Sequence, residues 1–184
     1  MFPALVKRGY LLLWASPLHS VAVMSKTILI ADDDENDALA LRKALSQAGV
    51  KNPVAIVGDG KQVIAYYKGA EAYADRAKYP IPGILLLDLK MPQLGGLEVL
   101  EWLHATQQTK DILIVILSGY SELENIRRGY ALGARSFLPK PCHADDIQGL
   151  IRAYPNYWET HEMPQILPSA TKSGDQQLPL SPEN

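Results

Sequence analysis

The run Thr27–Glu35, TILIADDDE, joins a short apolar stretch directly to four consecutive acids. A strand that is apolar on both faces has to be covered on both faces. Just beyond the acids, Ala38, Leu41, Leu45 and Ala48 recur at helical spacing, so the unit reads as a strand, an acidic turn and a helix. Outward from it the same alternation repeats, with β-like runs at Val54–Val57, Ile84–Leu87, Ile112–Leu117 and, more weakly, Ser136–Leu138. Helical stripes follow them: Val63/Ile64/Tyr67, Leu97/Leu100/Leu103, Leu123/Ile126/Tyr130 and Ile147/Leu150/Ile151/Tyr154. Five strands alternating with five helices predict a (βα)5 doubly wound parallel sheet over residues 25–154.

Composition narrows the function classes. The chain has 184 residues, enough for one well-buried domain, and its net charge of −2 provides no basic footprint for a phosphate backbone. Direct nucleic-acid binding is therefore not expected. The one cysteine, Cys142, excludes an intramolecular disulfide and any multi-cysteine metal site, which fits a reducing cytoplasm. No apolar run approaches the roughly 20 residues that span a bilayer, so no membrane association is expected.

The ends differ from the middle. Residues 1–24 carry Lys7, Arg8 and an apolar run at Tyr10–Ala15, superficially like a secretory signal. Pro17 and His19 interrupt that pattern, and Met24 offers a second start just before the first strand, so a spurious or unstructured extension is the expectation. Residues 155–184 hold five of the 13 prolines among Ser, Gln and Gly, and read as a flexible tail.

In doubly wound sheets ligands sit beyond the carboxyl ends of the strands. There this chain places Asp32-Asp33-Asp34-Glu35 after the first strand, Asp88 after the third, Ser118-Gly119 after the fourth and Lys140 after the fifth. Like charges so close repel by several kcal/mol unless a cation neutralises them or some acids are protonated. A hard, oxygen-seeking ion such as magnesium is the economical solution. Each residue also has a plainer reading. Asp34, Asn36 or Asp37 suits capping of the first helix, Lys140 a solvated charge and Ser118 a turn. Capping does not account for all four acids, and the coincidence at successive strand ends favours a site.

Taken together, ILIADD at 28–33, LLDLKMP at 86–92 with Gly96, LSG at 117–119 and FLPKP at 137–141 resemble the receiver domain of two-component response regulators. The long connection from Tyr66 to Pro82 and the continuation into Tyr157-Trp158 make the chain most similar to stand-alone receivers such as the cyanobacterial phytochrome response regulators. The resemblance implies a flavodoxin-like fold with strand order 2-1-3-4-5. It makes Asp88 the phosphoacceptor, with Asp32, Asp33, Asp88 and the Lys90 carbonyl holding Mg2+. Lys140 would pair with phosphoryl oxygens, aimed by a cis bond to Pro141, while Ser118 and Phe137 would form the switch. Many relatives have tyrosine at the Phe137 position, and phenylalanine keeps the rotamer change but not the hydroxyl.

The implied protein is a phosphoacceptor rather than a conventional enzyme. It would catalyse no more than its own phosphotransfer and autodephosphorylation. Its partners would be a sensor histidine kinase, phytochrome-like by the same resemblance, and a downstream target or phosphotransfer protein. A homodimer through the fourth helix, fifth strand and fifth helix would draw on Tyr130, Tyr154 and Trp158. Two other readings compete: a receiver fold that docks partners without phosphorylation, and a haloacid-dehalogenase-like phosphatase using Asp32-x-Asp34. The phosphatase reading leaves Asp88 unexplained.

Overall fold

A computed structural model of the protein describes residues 26–119 and 123–160. The expectation for residues 1–24 lies outside the described residues. The strands are β1 (Ile28–Ala31), β2 (Val54–Val57), β3 (Ile84–Asp88), β4 (Leu113–Ser118) and β5 (Ser136–Pro139). Between and after them run α1 (Glu35–Gln47), α2 (Gly60–Lys68), α3 (Gly96–Ala105), α4 (Leu123–Ala131) and α5 (Ala144–Ala153). All pairings are parallel and the strand order is β2-β1-β3-β4-β5.

Period-two alternation divides the interior into two layers. Leu29, Ala31, Leu85, Leu87, Ile114 and Ile116 face α2, α3 and α4, where Val63, Tyr66, Val99, Leu100, Leu103 and Ile126 meet them. Their strand neighbours Ile28, Ile30, Ile84, Leu86, Leu113, Val115 and Leu117 face α1 and α5, against Ala38, Leu41, Leu45, Ile147, Leu150 and Ile151. The three central strands are fully buried, which is why they read as continuous apolar runs rather than alternating ones.

Two segments depart from a minimal βα repeat. Between α2 and β3 the chain makes a short 3-10 turn at Glu71–Tyr73 and folds back under Arg76. The Arg76 guanidinium donates to the carbonyls of Tyr66, Tyr67 and Tyr79 at 2.8, 2.6 and 3.2 Å, closing the open end of α2. Gly69 ends α2 with φ +64°, and a Cβ there would fall 2.6 Å from Arg76 Nε. The second departure corrects the boundary at Tyr154. Pro155–Tyr157 form a 3-10 turn, and Trp158 lies in the α1/α5 core at 8% exposure. Buried Asn52 holds this segment: its amide nitrogen donates to the carbonyls of Lys26 and Tyr157 (2.7 and 3.1 Å), and its oxygen accepts from the Glu159 amide (2.6 Å). Residues 155–160 are thus part of the fold rather than a loose tail, and Trp158 is not an exposed anchor; residues 161–184 lie outside the described residues.

Candidate functional site

Register brings the chemistry to one edge. Ala31 pairs with Leu87, Asp88 with Leu117, and Ser118 with Pro139, so Asp32, Asp88, Ser118 and Lys140 emerge together where β1, β3, β4 and β5 end. Asp32, Asp88 and Ser118 are buried, at 3%, 7% and 2% exposure, whereas Asp33 is exposed at the rim. α3 is drawn in close behind Asp88. A Cβ on Gly96 would lie 2.3 Å from the Asp88 carbonyl oxygen, so only glycine lets the helix begin there.

Each buried carboxylate divides its oxygens between backbone and ammonium. Asp32 Oδ1 accepts from the Asp34 amide at 3.1 Å, and Asp88 Oδ1 from the Lys90 amide at 3.0 Å. Their other oxygens, Asp32 Oδ2 and Asp88 Oδ2, each lie 2.7 Å from Lys140 Nζ. The cation that makes the acid cluster tolerable is thus, here, a lysine side chain. The Lys140–Pro141 peptide bond is cis, as the family resemblance implied.

The charges show the strain of burial. Desolvation holds the Asp32 carboxyl above its ordinary range, although hydrogen bonds from Lys140 and the Asp34 amide pull the other way. Burial alone would depress the Lys140 ammonium, but Asp32 and Asp88 together outweigh it and raise the pKa well above the usual lysine value. Nearby, burial followed by the charge of Asp146 pushes the Cys142 thiol up to about 12.

Three of the sequence-predicted residues form a donor set. Carboxylate oxygens of Asp32, Asp33 and Asp88 all lie within 4.8 Å of one another. The set is entirely hard oxygen and carries more negative charge than one ammonium cancels, so it suits a divalent cation. Lys90 keeps its backbone at the site through the hydrogen bond its amide donates to Asp88 Oδ1. Ser118 closes β4 beside it, its carbonyl accepting from the Lys140 amide at 3.1 Å. Phe137 is half-buried on the α4 side of the sheet, packed against the layer beneath α2, α3 and α4.

Asp34 stands apart from these. It is the N-cap of α1, accepting from the amides of Asn36 (2.8 Å) and Asp37 (3.4 Å), which lower its pKa. The Asp32-x-Asp34 phosphatase reading loses its second acid to this cap. The residue that sequence reasoning did not bring into the site is Asp37, whose Oδ2 lies 3.2 Å from Lys140 Nζ. A signal existed: Asp37 shares a helix face with buried Leu41, four residues on, and so points toward the α5 side where Lys140 emerges.

Comparison with known proteins agrees with this geometry. The family model for the response regulator receiver domain matches residues 28–152. A response regulator in red light signaling of R. palustris is 30% identical, with a TM-score of 0.64, covering 75% of this chain and 99% of that one. Response regulator Rcp1 of Synechocystis is 25% identical over 140 residues, 76% of this chain and 93% of that protein. Its Mn2+-bound structure superimposes with a TM-score of 0.60 at 26% identity, covering 76% and 99% of the two chains. The phosphorylated cyanobacterial phytochrome response regulator RcpA gives a TM-score of 0.59 at 26% identity, over 72% and 93%.

Proposed function

Because the chain belongs to the response regulator receiver domain family, we propose that it takes a phosphoryl group from a sensor histidine kinase onto Asp88 and signals through protein contacts. The observation that carries this reading is the Lys140 ammonium held 2.7 Å from one oxygen of both Asp32 and Asp88. A buried carboxylate facing a cation, at the mouth of the sheet, is a nucleophile with its charge stabilisation already in place.

A carboxylate needs no general base. One Asp88 oxygen attacks phosphorus as the N–P bond of a phosphohistidine breaks, the imidazole leaves with the electron pair and picks up a proton from solvent, and an acyl phosphate forms. Lys140 moves a donor from Asp88 to the transferred oxygens, and the Ser118 hydroxyl donates to another. We assign the cation to magnesium, held by Asp32, Asp33, Asp88 and the Lys90 carbonyl; when bound it neutralises charge on the phosphoryl oxygens. Support for the ion comes from the donor set and from the manganese-bound relative; support for the acceptor comes from the phosphorylated relative.

Ser118 and Phe137 are the elements we expect to move on phosphorylation, reshaping the face of α4, β5 and α5. Leu123 and Tyr130 on α4 are 66% and 46% exposed, which fits a second protomer or a downstream target there. The kinase partner would be phytochrome-like, a reading supported by the likeness to a cyanobacterial phytochrome response regulator, and the setting the cytoplasm, where ATP feeds such kinases. Among the described residues no helix is long and apolar enough to cross a membrane.

Acetyl phosphate with magnesium tests the assignment. Intact-mass analysis should show one phosphoryl adduct on the wild type and none on Asp88→Asn. An equal adduct on both would overturn Asp88 as acceptor, and no adduct on either would favour a receiver fold that docks partners unphosphorylated.

A further inference from the structure

We propose that Asp37 is a positioning residue for Lys140: it tethers the ammonium at the phosphoryl site while Asp32 and Asp88 turn to the divalent cation. This rests on the phosphoacceptor reading of the same site. An ammonium has three donors, and Lys140 Nζ has three carboxylates around it: Asp32 and Asp88 at 2.7 Å and Asp37 at 3.2 Å. Asp32 and Asp88 belong to the acidic donor set, together with Asp33; Asp37 does not. A divalent cation placed among those oxygens competes for the two short partners of Lys140 and repels the ammonium itself. Among the described residues, Asp37 is the acid left to keep it from swinging into solvent.

The anchor is well placed for this task. Asp37 sits in the first turn of α1, its amide bonded to the Asp34 cap, and the next residue, Ala38, is packed into the core at 1% exposure. Its backbone is therefore fixed while its carboxylate, half exposed, reaches the rim. Lys140 is mostly covered, with its side chain 22% exposed, so a small swing separates a held ammonium from a solvated one. The longer distance to Asp37 also suits the role, because a partner that gripped more tightly than the phosphoryl oxygens would withhold the donor they need.

Two readouts on the full chain test the tether. With lysine labelled by 15N and magnesium saturating, the Lys140 ammonium should give a resolved N–H signal that persists in Asp37→Glu and is lost to solvent exchange in Asp37→Ala. In single-turnover phosphorylation by acetyl phosphate, Asp37→Ala should be slower by about threefold, the scale on which a half-exposed ion pair acts. Asp37→Asn should fall between Ala and wild type. Magnesium affinity, measured by calorimetry, should be unchanged in all three, which shows that the site is folded. The tether is overturned by an unchanged ammonium signal in Asp37→Ala. It is equally overturned if Asp37→Ala and Asp37→Asn are phosphorylated as fast as wild type or faster, since Asp37 would then act only by repelling the anionic donor. Failure of the phosphoacceptor reading looks different: wild type would take no adduct while its ammonium signal still depended on Asp37.

Discussion

Asp32 illustrates a charged residue buried at the expense of stability. The residue is 3% exposed, and desolvation raises the pKa of its carboxyl above the ordinary 3.8. A carboxyl raised in the folded state contributes stability below pH 3.8 and loses that contribution as pH rises through its folded value. At neutral pH without metal, the charged Asp32 therefore works against the fold. Asp32→Asn should raise the urea midpoint of the metal-free protein at pH 7, by an amount on the order of 1 kcal/mol. The gap between variant and wild type should widen as pH climbs above 3.8 and narrow below it, and, on the proposed metal site, magnesium should stabilise the wild type but not the variant. A variant less stable than wild type at pH 7 would refute this account. Asp32, Asp88 and Lys140 were legible in the sequence because each directly follows an apolar strand. Asp37 was not, because its meaning depends on how α1 is turned against β5, a tertiary fact that helix spacing only hints at.

At the scale of elements, the start of α3 is fixed by a contact that tolerates no side chain. The Gly96 amide donates to the Leu89 carbonyl at 3.1 Å while its Cα faces the Asp88 carbonyl. Gly96→Ala should destabilise the domain by about 1–3 kcal/mol through overpacking, measured by urea unfolding, despite the better helix propensity of alanine. Because the clash falls on the backbone of Asp88, acetyl phosphate should also react more slowly with the variant. An unchanged midpoint with an unchanged rate would show that α3 has room to move. The three central strands were readable to within one residue, since strands buried on both faces leave no solvent-facing polar positions to blur their limits, and the partly exposed edge strands β2 and β5 were readable to the same margin from their short runs of Val, Ile, Phe and Leu. The connection between α2 and β3 was not. Its order comes from Arg76 bridging three backbone carbonyls, and nothing about an isolated arginine in a polar stretch announces such partners.

For the whole molecule, one amide side chain decides where the domain closes. Asn52 is 5% exposed and makes three hydrogen bonds to backbone, linking Lys26 at the start of the sheet to Tyr157 and Glu159 after α5. Asn52→Ala should cost about 2 kcal/mol, since it strands buried backbone groups and frees Trp158 from the core. Urea unfolding reads the loss, and hydrogen exchange should show the Glu159 and Lys51 amides opening ahead of the sheet. If those amides stay protected in the variant, Trp158 alone holds the segment. Composition misled at this end because proline and polar residues beyond 160 weighted the whole stretch toward disorder, while the packing of Tyr157 and Trp158 is local. The same amide binds the carbonyls of Lys26 and Tyr157, and the Lys26 ammonium sits 3.8 Å from the Tyr157 ring centre. The two ends of the described segment are therefore neighbours, at the end of the sheet opposite the acids. Such a unit has the geometry of a cassette: it can be spliced into a surface loop of a host protein, or its ends joined and a new opening cut elsewhere, with the acidic pocket facing away from the seam.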